Sequence, residues 1–180
     1  SAPEAEMRVL AFDGQQVSSV ATSVSLALSN LGSWVNGKSG GSRRSGHLGR
    51  RNGGSLVFLG GKNGTDPVSQ VDLFNPVTNS WSVISGFDID FSHSAGEIIE
   101  GIFYTWGGQA STQGNPISSE VLAFDLTDRT LLTISTQHTA RFKHASVVYN
   151  EKIFFCGGQN ASGEILDELL IFDQIGRAHV

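Results

Sequence analysis

The sequence predicts an all-β chain assembled from repeated four-stranded antiparallel sheets, and three observations carry that reading. Three apolar runs close on a glycine doublet: SLVFLGG at 55–61, IFYTWGG at 102–108 and KIFFCGG at 152–158. After each doublet come a polar loop and a second apolar run, QVDLFN at 70–75, EVLAFD at 120–125 and ELLIFD at 168–173. The doublets recur after 47 and then 50 residues, the signature of a structural repeat.

The runs are rich in Val, Ile, Phe, Tyr and Trp, which favours strands. Several are apolar at consecutive positions, as in a strand covered on both faces. NPVTNS at 75–80 and DLTDR at 125–129 place Asn, Asp, Pro and Thr where a tight reversal needs them. A glycine doublet at a strand end permits positive φ and close approach of a neighbouring backbone. Gly60, Gly61, Gly107, Gly108, Gly157 and Gly158 are therefore read as structural. They are not phosphate loops, because no Lys-Ser or Lys-Thr follows them. VLAFD at 9–13 looks like the same strand from an earlier unit, and the Ser/Thr/Val content around Val24–Leu28 favours another outer strand.

Further landmarks keep the same order. His47, His93 and His144 stand 13 or 14 residues before the doublets, and Arg141-x-x-His144 precedes the cleanest copy. Trp81 follows Asn75 by six residues, as Leu131 follows Asp125. This combination resembles the kelch repeat over residues 42–174. The resemblance implies an incomplete kelch-type β-propeller, with four-stranded blades stacked around a channel. Residues 1–28 are then outer strands of a partial blade, 29–45 a basic Gly/Ser-rich inter-blade loop, and 46–86, 87–136 and 137–174 three blades, the last truncated. Residues 175–180, IGRAHV, match the translation of a common sequencing adapter and are read as an artefact. Departures from the pattern are Asp90 in place of the arginine, Asn75 in place of aspartate and Leu131 in place of tryptophan. LGRRNGG after His47 is also poor in apolar residues for an inner strand.

At 180 residues, 39% hydrophobic and 16% charged, the chain is too apolar for a disordered one. No run approaches the ~18 apolar residues of a membrane helix. The net charge of −5 hides an asymmetry: Gly14–Thr65 holds Lys38, Arg43, Arg44, Arg50, Arg51 and Lys62 without one carboxylate. The acidic remainder argues against nucleic acid as a partner. The lone Cys156 excludes an intrachain disulfide framework and a multi-cysteine zinc site.

Recurrence in every unit assigns the three histidines to repeat packing, each bonded to local backbone, and not to a metal. Trp81 and Trp106 are expected between blades, and Cys156, beside Phe154 and Phe155, as an inert buried thiol. Strand alternation puts the second-to-third loops, 62–67, 109–118 and 159–165, on one face together with the inter-blade loop. Long loops on a rigid scaffold are where recognition resides. The expected function is a scaffold that binds a protein partner there, with Arg43, Arg44, Arg50 and Arg51 meeting an acidic one. A sugar ligand held by loop amides such as Gln109, Gln113 and Asn115 is the other binding reading. The sequons at Asn63 and Asn160 fall in the same loops and point toward an extracellular or cell-surface setting.

The rival class is a propeller enzyme resembling galactose oxidase, whose copper site uses tyrosines, histidines and a tyrosine–cysteine cross-link. Only Tyr104 and Tyr149 are present, each inside a repeat strand, and Asp88 with Asp90 and Asp167 with Glu168 read as solvated turn residues. No catalytic residue, cofactor or metal ligand is assigned. Three blades and part of a fourth are too few to close a ring, so an apolar blade face is expected to stay open and to drive self-association.

Overall fold

The computed structural model describes residues 6–9, 22–25, 35–134 and 136–173, which divide into two units, 1–37 and 38–180. In the first unit β1 (Glu6–Val9) pairs antiparallel with β2 (Thr22–Ser25). The strand expected at 9–13 lies, except for Val9, outside the described residues, as do Trp34 and 174–180.

The second unit holds three sheets. Blade 1 is β3 (Leu48–Asn52), β4 (Ser55–Leu59), β7 (Val71–Asn75) and β8 (Ser80–Ile84), in that spatial order. Its middle loop carries a two-stranded ribbon of β5 (Lys62–Asn63) and β6 (Asp66–Pro67). Blade 2 is β9 (Ala95–Ile99), β10 (Ile102–Trp106), β11 (Val121–Asp125) and β12 (Thr130–Ile134). Blade 3 has β13 (Ala145–Tyr149), β14 (Lys152–Cys156) and β15 (Leu169–Asp173). Neighbouring strands are antiparallel throughout, and no helix occurs among the described residues.

The turns form for local reasons. Asn75 Oδ1 accepts from the amides of Val77 and Thr78 at 2.9 and 3.1 Å, and Asp125 Oδ1 accepts from Thr127 and Asp128 at 2.9 and 3.0 Å. Asparagine thus replaces aspartate without loss, since the turn needs only an acceptor. Asn150 and Glu151 both take positive φ in the two-residue β13–β14 turn, the geometry that suits the strand twist.

Two apolar layers join the blades. Leu48, Val57, Leu59, Val71 and Ile84 of blade 1 meet Phe87, Ile89, Phe91, Phe103 and Phe124 of blade 2. Ala95, Tyr104, Trp106, Val121 and Ala123 of blade 2 meet Ile153, Phe155, Leu170 and Phe172 of blade 3. This explains the consecutive apolar positions of β10: Phe103 faces one neighbouring blade, Tyr104 and Trp106 the other. The corresponding outer face of blade 3 has no sheet on it among the described residues, and Val147, Leu169 and Ile171 are 57–60% exposed there. Cys156 lies in the same face and is exposed, which corrects the expectation of a buried thiol.

Each glycine doublet follows the second strand of its blade, with φ of 65–69° at the first glycine and 85–102° at the second. A Cβ on Gly60 would fall 2.5 Å from the Phe91 ring, and one on Gly107 would collide with the Arg141 carbonyl, both on the next blade. Second glycines lie against their own blade, with Cβ distances of 2.8–2.9 Å to the Cβ atoms of His47, Ser94 and His144. Hydrogen bonds stitch the blades at the same points, from Gly61 N to Phe91 O and from Gly108 N to Arg141 O, both 2.8 Å.

Those contacts also correct the alignment of the repeats. Ser45, Ser92 and Phe142 bridge Lys62, Gln109 and Gln159, so each follows an equivalent position, occupied by Arg44, Phe91 and Arg141. Blade 2 therefore has Phe91, not Asp90, at the arginine position. Ser94 stands where the others have His47 and His144, and His93 takes the positive-φ place of Gly46 and Lys143. The histidines were expected to bond local backbone. Instead His93 Nδ1 lies 3.1 Å from Ser92 Oγ, and His144 packs against the Trp106 and Phe155 rings with no hydrogen bond of good geometry at either ring nitrogen.

Candidate functional site

Strand direction places the second-to-third loops, 60–70, 107–120 and 157–168, and the blade links at one end of the sheets, with the short turns at the other. The loop end is built on fixed backbone: Gln109 bridges Ser92 and Ile117, and Gln159 bridges Phe142 and Ile165.

The basic segment is laid across blade 1. Lys38 N donates to Asn79 Oδ1 at the turn end, and Trp81 Nε1 donates to Lys38 O at 2.7 Å. Gly40 and Gly41 lie against the Trp81 ring, Ser42 bonds Asp72, and Ser45 reaches Lys62 at the loop end. Within the 29–45 segment read as an inter-blade loop, residues 38–45 thus form a strap. Trp81 packs under it and against Phe58 and Phe74, on the face of blade 1 that points away from blade 2. Trp106 does lie between blades, 2% exposed, with Arg141 stacked 4.7 Å from its ring.

The four arginines do not form one surface. Arg44 is buried, its guanidinium 2.9 Å from Asp72 Oδ2 and donating to Gly60 O at 2.9 Å. Arg141 repeats that role with Gly157 O and the Glu168 carboxylate. Arg50 donates twice to Glu97, at 2.9 Å each, and to Ser146 Oγ at 3.2 Å. Since β9 lies against both β3 and β13, this network links the inner strands of all three blades. It also explains LGRRN as an inner strand: the charge of Arg50 is met across the blade boundary. Arg43 and Arg51 are exposed, but at opposite ends of blade 1, Arg43 by the loops and Arg51 by the β3–β4 turn, where its Nε donates to Gly53 O.

Asn63 is exposed in β5. Asn160 is committed to its loop: Oδ1 accepts from Ser162 N, Ser162 Oγ and Glu164 N, while Nδ2 donates to Glu164 Oε2. Burial, then the positive charge of Arg141, lowers the His144 pKa to about 4 against a raising contact with the Trp106 backbone. Burial is likewise the main cause lowering His47 and His93. No group of three or more His, Cys, Asp or Glu side chains suited to a metal occurs among the described residues. Tyr104 is buried between blades 2 and 3, and Tyr149 and Cys156 stand at opposite ends of the β13–β14 pair.

Between the loops of blades 2 and 3 lies a cleft of about 370 Å³, lined by Gln109, Asn115, Pro116, Phe142, Gln159 and Asn160 among others. Spacing alone could not have found Phe142 or Gln159, though the repeated GGQ at 107–109 and 157–159 marks the position.

Stacked antiparallel sheets whose inner strands lie side by side define a β-propeller architecture, here incomplete. The kelch motif family matches residues 43–87. Kelch-like protein 36 of Bos taurus is 29% identical over 121 residues, 67% of this chain and 19% of that protein. The Rattus norvegicus form is 28% identical over the same share. Beta-scruin of Limulus polyphemus is 23% identical over 119 residues, 61% of this chain and 13% of its own length. The chain thus spans a fifth or less of these relatives' own length, and the match at 43–87 together with these likenesses supports a kelch-repeat architecture.

Proposed function

We propose that the chain is a scaffold that binds a protein partner through its second-to-third loops. The observation that carries this reading is the contrast between the two ends of the blades. One end has two- to four-residue turns, and the other has loops of 11 to 14 residues whose bases are hydrogen-bonded to the blade links. Rigid sheets holding variable loops are a recognition architecture. The kelch-like relatives support the same reading.

Acidic groups on the partner would be met by Arg43 with Lys62, which share the loop end; Arg44 and Arg50 already serve Asp72 and Glu97. In a secretory setting Asn63 is the sequon with the exposed side chain, and a glycan there would border that contact. Co-purification with the full chain, compared with variants whose 62–67 or 109–118 loop is shortened to a Gly-containing turn, tests the proposal. Loss of a captured protein with an unchanged circular dichroism spectrum is expected. Capture that survives both deletions overturns it.

A further inference from the structure

We propose that the cleft between the loops of blades 2 and 3 binds a neutral saccharide. The inference goes beyond the protein-scaffold reading and does not depend on it.

The chemistry of the lining selects the ligand class. Among the described residues no ionisable side chain lines the cleft; the nearest charges stand at its margin, Lys143 over the Phe142 ring and Glu164 bonded to Asn160. Its polar side chains are carboxamides, each of which both donates and accepts. A sugar hydroxyl has the same double character, so a carboxamide can bond two adjacent hydroxyls at once. The Gln109 and Asn115 carboxamides have no partner among the described residues, and Gln159, which gives Nε2 to Gly163 O at 3.0 Å, keeps Oε1 as an acceptor. Phe142 contributes an aromatic ring for the C–H face of a pyranose, with Lys143 Nζ 4.8 Å from its centroid. A volume of about 370 Å³ is within the range of small-ligand sites.

The backbone argues against a peptide in the same place. An extended peptide adds to a free strand edge, and here that edge is spent. Gln109 is bridged to Ser92 and Ile117, Gln159 to Phe142 and Ile165, and Ala110 N donates to Pro116 O. Side-chain amides, not main-chain groups, are what the cleft offers.

The walls are preorganised. Asn115 is held at φ 44° with its amide bonded to Thr112 O, and the Asn160 turn braces the opposite side. Little ordering cost then falls on binding.

The full chain should be applied to an array of neutral, sialylated and sulfated oligosaccharides, with unglycosylated peptides as a separate arm. The strongest neutral oligosaccharide is then titrated by calorimetry. Binding to neutral glycans is expected, without preference for the charged ones. Gln109→Ala, and Asn115→Gly, which retains the positive φ, should each weaken it about tenfold. Arg43→Ala should leave it unchanged. Competition by a free monosaccharide identifies a free sugar as sufficient, whereas binding only of protein-attached glycans assigns the ligand to a glycoprotein. Absence of any neutral hit, hits unaffected by both variants in folded protein, or unglycosylated peptides weakened by the same variants would each overturn the proposal.

Discussion

Arg44 and Phe91 occupy the same position in successive blades. In blade 1 the guanidinium lies buried, 2.9 Å from Asp72, while in blade 2 a phenyl ring fills the place and Leu122 stands where Asp72 would be. Both members of a buried ion pair have been exchanged for apolar groups, a change that is often neutral, whereas loss of one member strands a charge. Arg44→Ala should therefore cost about 3–5 kcal/mol, and the double change Arg44→Phe with Asp72→Leu should recover most of it. Urea midpoints of the three proteins check this; a cost below about 1 kcal/mol for Arg44→Ala would show that the pair is not buried as described.

The second prediction concerns pH. His144 is neutral in the fold, with a pKa lowered to about 4, and regains an ordinary value near 6.5 when unfolded. Below pH 6.5 the unfolded chain binds a proton that the folded one refuses, so stability falls with pH until the folded group titrates. The loss is on the order of 3 kcal/mol between pH 6.5 and 4, with His47 and His93 adding in the same direction. His144→Gln should flatten this part of the stability profile relative to the parent protein. Parallel profiles would remove His144 as the cause.

The inner-strand network is open to a double-mutant cycle. Arg50→Met and Glu97→Gln break the same pair, so the double variant should be more stable than the sum of the single losses by about 1–3 kcal/mol. Additive losses would mean that Arg50 and Glu97 act independently.

Self-association follows from the open face of blade 3, where Val147, Leu169 and Ile171 are exposed in rows that match the covered face of blade 2. Sedimentation of the 180-residue chain should show mass increasing with concentration, and Val147→Lys with Ile171→Glu should reduce it. A parent chain that stays monomeric at high micromolar concentration would contradict this.

Blade boundaries were legible because each carries a doublet, a turn and two apolar runs at one period. The arginine register in blade 2 was not, because Ser94 holds the histidine place and a histidine stands one position before it: His93 precedes Gly107 by 14 residues, where the other histidines precede their doublets by 13. Matching histidine to histidine thus selected Asp90. Neither the cover of Trp81 nor the exposure of Cys156 could be read locally, because both depend on residues far along the chain. A strap at 38–41 covers the tryptophan, and the face that holds the thiol has no sheet on it among the described residues. The arginine cluster was contiguous in sequence but divides between a strap and a strand, so Arg44 and Arg50 find partners that composition does not reveal. The amide cleft was half legible, since Gln109 and Asn115 were visible as loop amides while Phe142 and Gln159 arrive from the next blade.

At the centre of the account is the claim that the first glycine of a doublet makes room for the following blade. Gly107 is backed by Arg141 O of blade 3, whereas a Cβ on Gly157 would meet only Leu166 O, at 3.4 Å. The two share a left-handed backbone, so Gly107→Ala and Gly157→Ala carry the same conformational penalty and differ by the inter-blade collision. Thermal or urea unfolding of the two variants should find Gly107→Ala less stable by about 1–3 kcal/mol; equal losses would contradict the claim.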